Sequence, residues 1–194
     1  MAWVELLGID DVDGPAREMA ESGAAQYGQV LNTWAAILNR PEIFAAYLPF
    51  LRSVAGPGTL DARTKDLSAF LVGVLNNCRY TVSHRAVSAK RNGVGEEELR
   101  KVASGDFSAF DSVTKTVLEF TKQLTLRPPT TGFSEVPQSV DQSILDDLSA
   151  VLTDAQVVEL AMSVSVWNAL ARFHRVMGFE LDMAEPPEGT DPAA

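Results

Sequence analysis

Residues 76–84 read NNCRYTVSH and gather the only cysteine of the chain, one of its two histidines and one of its three tyrosines. If residues 78–91 form one helix turning about 100° per residue, Cys78, Thr81 and Arg85 share a face, and His84 lies about 60° round from Thr81. The preceding segment, TLDARTKDLSAFLVGVLNN, brings the carboxylate of Asp66 on a neighbouring helix. A carboxylate, a thiol, a hydroxyl, the Tyr80 phenol and an imidazole can then converge on an apolar background, the setting acid and base chemistry uses. Each residue also has a plainer reading. A lone helical cysteine is more often a small buried hydrophobe than a nucleophile. His84 suits a surface or a satisfied core position, Asp66 beside Lys65 an ordinary ion pair, and Trp167 and Phe173 the core or an interface.

Other chemistries have little to stand on. A metal site needs three or four well-spaced donors, and the soft or borderline ones are only His84, His174 and Cys78, so neither a metal nor a cofactor is expected. No glycine-rich loop follows a strand pattern, and there is no G-x-S-x-G elbow. One cysteine makes no internal disulfide, which fits a reducing compartment.

Helices must position these groups. In DFSAFDSVTKTVLEFTKQLTL, Phe110, Val113, Val117, Phe120 and Leu124 recur at steps of three and four, one face of an amphipathic helix. Similar patterns, with proline, glycine and acidic residues as start and stop signals, predict helices near 15–23, 29–38, 41–54, 61–75, 79–91, 95–103, 108–126, 141–150 and 154–177. The last is apolar nearly all round, which predicts a central helix or one sandwiched in an interface. RPPTTGFSEVPQS, residues 127–139, interrupts the helices as a lid or a surface crossing. AEPPEGTDPAA is acidic and lacks large apolar groups, so it reads as a frayed tail. The fold class is therefore all-α, with an extension over 1–14, one domain over 15–182 and a flexible tail over 183–194.

Composition bounds the partners. With 26 acidic and 16 basic residues the net charge is −10, so phosphate backbones and anionic lipid surfaces repel the chain and nucleic acid is not expected. No apolar run approaches the roughly 18 residues of a membrane span, and the N-terminus shows no secretory pattern. A cytoplasmic protein acting on a small molecule fits best.

The run GTLDARTKDLSAFLVGVLNNCRYTVSHRAVSAKRNGVGEEEL resembles the core of the carboxymuconolactone decarboxylase and alkylhydroperoxidase D-like family. TKTVLEFTKQLTLRP and LTDAQVVELAMSVSVWNALARFHRVMGFEL are similar to its following and closing helices, so the resemblance covers roughly residues 20–182. It implies a helical bundle that associates as a trimer or hexamer. In the family's peroxidase branch a glutamate is followed after twelve residues by C-x-x-C and then histidine. Here Asp66 matches the glutamate, Cys78 the first cysteine, Thr81 the second, peroxide-attacking one, and His84 and Arg85 the usual histidine pair. A threonine hydroxyl forms neither a sulfenic acid nor a disulfide, so the two-cysteine cycle should be absent. Cys78 resembles the resolving position, and Arg79 and Arg85 are candidate cations to activate it. The decarboxylase branch needs no thiol pair. There the resemblance implies His84 as acid or base, Asp66 orienting it, Arg85 holding an anionic group, and Tyr80 and Thr81 donating hydrogen bonds. Three readings follow: a non-redox acid/base lyase-type enzyme for a small apolar or carboxylated molecule, a peroxidase-like protein working through Cys78 alone, and a catalytically silent oligomeric or ligand-binding paralogue.

Overall fold

A computed structural model describes residues 2–126 and 140–191. Among them are nine α-helices and no strand: α1 Gly14–Tyr27, α2 Asn32–Ile37, α3 Pro41–Ala55, α4 Ala62–Leu75, α5 Arg79–Arg91, α6 Glu96–Ser104, α7 Ser112–Leu126, α8 Gln142–Val151 and α9 Asp154–Met177. The all-α expectation holds. The 127–139 connection lies outside the described residues.

Capping chemistry sets most of the boundaries. Asp61 accepts from the Thr64 amide at the start of α4, and Thr153 and Gln156 satisfy each other's backbone donors at the start of α9. α1 runs four residues past the expected stop, because Gly23 does not break it but lies against the Trp34 ring. Gly28, at φ 77°, ends it instead. α7 starts late. Asp111 accepts from the amide and hydroxyl of Thr114, leaving Phe110 before the helix, though still packed on the core.

α4 is the hub, buried continuously from Thr64 to Gly73 between α5, α7 and α9. On one side Val72, Val117, Leu160, Val164 and Trp167 form an apolar cluster. On another, Leu67, Phe70, Leu71, Val82, Leu99 and Leu118 form a second. A third, around Trp34, Leu38, Phe44 and Leu48, joins α1, α2 and α3. α9 is less uniformly buried than its composition suggests, since Val158, Met162 and Val176 are exposed. No described helix is long and apolar enough to cross a membrane.

The expected frayed tail takes a different form. After α9 the chain reverses at Gly178, φ 64°, and residues 179–191 lie across α5 as a strap. Ser83 donates to the Ala184 carbonyl at 2.7 Å, Arg79 pairs with Glu185 and Asp191, and Thr190 is buried. The segment is short of apolar groups, but polar side chains of α2 and α5 hold it.

Candidate functional site

The turn between α4 and α5 places the chemistry. Asn77 adopts φ 52°, asparagine being one of the few non-glycine residues that tolerate this region. The Cys78 amide donates to the Gly73 carbonyl at 3.0 Å, so Cys78 becomes the N-cap of α5 rather than a residue inside it. The residue is 2% exposed and packed with Tyr80, Ala171, Phe179 and Leu181, and its sulfur lies 3.1 Å from the Thr81 hydroxyl.

From that N-cap, α5 presents two different faces. Tyr80 and His84 turn toward the strap. The Tyr80 hydroxyl donates to Asp182 Oδ2 at 2.7 Å and accepts from the Thr33 amide at 3.3 Å. His84 Nε2 lies 2.5 Å from Asp182 Oδ1, and the Asn32 amide donates to Asp182 Oδ2 at 2.6 Å. Burial pushes the Asp182 carboxyl upward, but His84, Asn32 and Tyr80 outweigh it and hold the group below the usual aspartate range. Burial likewise holds His84 below an ordinary histidine, against the pull of Asp182. At neutral pH the pair is thus an ionised carboxylate and a neutral imidazole. Because the carboxylate can only accept, Nε2 of His84 carries the proton. His174 completes this face: its ring nitrogens lie 2.9 Å from the Thr81 hydroxyl and 3.0 Å from that of Thr33. Burial, then the neighbouring His84, lowers its pKa to about 3.

Arg85 turns the other way. Its guanidinium stacks 4.2 Å from the centre of the Trp167 ring, and Nη1 is 3.4 Å from Asp66 Oδ1. Asp66 in turn accepts from Asn92 at 2.6 Å. Arg85 Nε is buried with no hydrogen-bond partner. Burial depresses this guanidinium, partly offset by Asp66. Together with Tyr27, Trp34, Leu51, Arg52 and Trp167, Arg85 lines a cavity of about 510 Å³. That is ample for a small ring compound.

Comparison with known proteins finds similarity of two kinds, one in sequence and one in fold. Residues 41–122, which contain Asp66, Cys78, Tyr80, Thr81, His84 and Arg85, match the Carboxymuconolactone decarboxylase family. The match spans less than half of the chain. Solved structures carry the likeness over nearly the whole chain. An alkylhydroperoxidase AhpD core, an uncharacterized peroxidase-related protein from Ralstonia eutropha JMP134, superposes with a TM-score of 0.79 at 14% identity, covering 93% of this chain and 92% of its own. A variant of the debrominase Bmp8 in complex with 2,3,4-tribromopyrrole gives 0.77 at 15% identity, with 98% and 96% covered. A putative antioxidant defence protein AhpD from Agrobacterium tumefaciens gives 0.65 at 14%, with 77% and 97% covered. At these identities the likeness is one of fold. No curated protein matches the chain in sequence.

Within the matched segment, the six residues singled out from sequence divide into two environments rather than one pocket. Asp66 orients Arg85, not His84, and the partner of His84 is Asp182, 98 residues away. Arg79 is no activator of Cys78, since it pairs outward with Glu185 and Asp191. Sequence reasoning missed His174, Asp182, Thr33 and the cavity aromatics. His174 had a legible signal, an imidazole on a helix apolar nearly all round. Asp182 had none, because it depends on where the chain turns after α9. Trp167 is core as expected, and also a cavity wall.

Proposed function

We propose that this protein is a non-redox member of the family, which takes a small, largely apolar carboxylate into the cavity over Arg85 and acts on it by proton transfer. The observation that carries this reading is the state of Arg85. Nη1 is engaged by Asp66, whereas Nε has no partner and is shielded from solvent. A buried donor left unpaired is costly, and the Nε–Nη2 edge of a guanidinium is the fork that matches a carboxylate. Asp66, bonded to both Arg85 and Asn92, is the carboxylate paired with that guanidinium. It is the group we assign to move a proton at the carbon beside the bound carboxyl, lyase-type chemistry. The stacked Trp167 and the Trp34 and Tyr27 walls suit an apolar ring, and a fold neighbour, Bmp8, holds a small halogenated pyrrole.

The peroxidase reading has less support. Cys78 is buried, its nearest polar neighbour is a hydroxyl, and the nearby Arg79 is committed elsewhere.

Trp34 and Trp167 both line the cavity, so benzoate, lactone acids and other small carboxylates can be titrated against tryptophan fluorescence, with calorimetry as the check. Binding should weaken by at least about thirtyfold in Arg85→Leu, the order expected for losing one side of a buried ion pair. With a turned-over compound in hand, Asp66→Asn should abolish activity and Cys78→Ser should leave it. Unchanged binding in Arg85→Leu, or activity lost with Cys78 alone, would overturn the proposal.

A further inference from the structure

The strap over α5 shields the only thiol of the chain, and it is held in an unusual way. Phe179 and Leu181 close over Cys78 and Tyr80, yet residues 179–191 form no helix or strand. Their carbonyls are taken by side chains of the body: Asn32 donates to the Glu180 carbonyl at 3.1 Å, Gln29 to that of Asp182 at 2.5 Å, and Ser83 to that of Ala184 at 2.7 Å. The outer half adds ion pairs from Arg79 to Glu185 and Asp191. Arg79 is 45% exposed, and exposed pairs contribute little. Phe179 and Leu181 are only partly buried. The Asp182 carboxylate is a concentrated attachment, since it sits on the Asn32 amide, the Tyr80 hydroxyl and His84.

A segment without a backbone ladder of its own, whose apolar anchors Phe179, Leu181 and Met183 are only partly buried and whose densest polar attachment is Asp182, belongs among the parts of a fold that open before the whole unfolds. We propose that residues 179–191 are an intramolecular cap latched by Asp182, and that opening this cap, with the helical body intact, is the route by which solvent and small electrophiles reach Cys78. The latch stands on the Tyr80–His84 face of α5 and is independent of the Arg85 cavity. The cap makes the thiol conditionally reactive: closed, it is a packed core group, and open, it is an exposed N-cap side chain.

The test is the rate of alkylation of Cys78 by N-ethylmaleimide under native conditions, followed by intact mass. Three chains are compared: the natural one, Asp182→Ala, and Leu99→Ala, which opens a hole in the cluster beneath α6 and lowers global stability without touching the strap. The natural chain should react slowly, and Asp182→Ala at least about tenfold faster, the effect of losing a hydrogen-bonded charge. Leu99→Ala should stay near the natural rate. Should Asp182→Ala fold poorly, Asp182→Asn keeps the shape, removes the charge and should accelerate alkylation in the same direction. Hydrogen exchange should show the amides of 179–191 opening ahead of those in α4. Equal acceleration by Leu99→Ala and the Asp182 variants would mean that Cys78 is reached only by global unfolding, and the cap would be refuted. So would no acceleration in the Asp182 variants, or a natural chain that reacts as fast as its unfolded form.

Discussion

Thr81 stands three residues after Cys78, and its hydroxyl lies 3.1 Å from the sulfur, so a second thiol there would fall within bonding reach of the first. Thr81→Cys should therefore form an internal disulfide when treated with diamide, which accepts the two electrons and two protons released. The expected signs are an intact mass lower by two hydrogens and no remaining reaction with N-ethylmaleimide. Two free thiols after oxidation would show that the pair cannot close. At Arg85 the prediction concerns shape rather than charge. Arg85→Lys retains the cation but loses the fork, so carboxylate affinity should fall by about tenfold or more rather than be rescued. The residue types at these positions were legible in the sequence, because spacing on a helix puts them close together. Their division between two faces was not, because Arg85 follows Trp167 of α9 and His84 follows Asp182 of the strap, and no local pattern encodes either partner.

At the scale of elements, the α4–α5 hairpin is what keeps the site in register. A methyl added at Gly73 would stand 3.1 Å from the Thr81 side chain and from the Val82 amide nitrogen, both in buried positions. Gly73→Ala should gain about 1 kcal/mol of helix propensity yet lose more through overpacking, about 1–3 kcal/mol. A net destabilisation in urea unfolding is expected, and a more stable variant would mean that the hairpin can part without cost. Most of these elements were readable beforehand, since α3, α4, α5 and α9 follow from apolar period, prolines and caps alone. The failures share a cause. α1 overran its glycine because Trp34 packs on it, α7 started late because Asp111 found Thr114, and the tail docked because Ser83 and Arg79 were waiting. In each case a side chain outside the local window decided the outcome.

For the whole molecule, several groups held below their usual pKa act together. His84 and His174 are neutral in the fold and would protonate first in the unfolded chain, near pH 6.5. Their contribution to stability therefore begins to fall away below about pH 6.5, for His174 down to about 3. Asp182 and Glu159 add stability that is present above about pH 4 and lost as pH falls through their folded values, about 2 for Glu159. There burial raises the carboxyl but Lys65, Thr59 and Leu60 outweigh it. Thermal melts should thus decline steadily on acidification from pH 7. His174→Gln should decline less steeply, by at most about 1.4 kcal/mol per pH unit, and parallel curves would contradict this assignment. The histidine has another consequence. Cys78, Thr81, His174, Thr33, Tyr80 and Asp182 form one continuous row of hydrogen-bonding groups, and the row admits two proton orders. In one, the thiol donates to Thr81, Thr81 to Nδ1, and Nε2–H to Thr33. In the other these three directions reverse, Thr33 turns its hydrogen from Tyr80 to Nε2 while Tyr80 still donates to Asp182, Nδ1 carries the proton, and the sulfur only accepts. A thiolate permits the second order alone, so the tautomer of a ring 96 positions along the chain from Cys78 becomes a reporter of the sulfur's charge, readable in the nitrogen chemical shifts of His174.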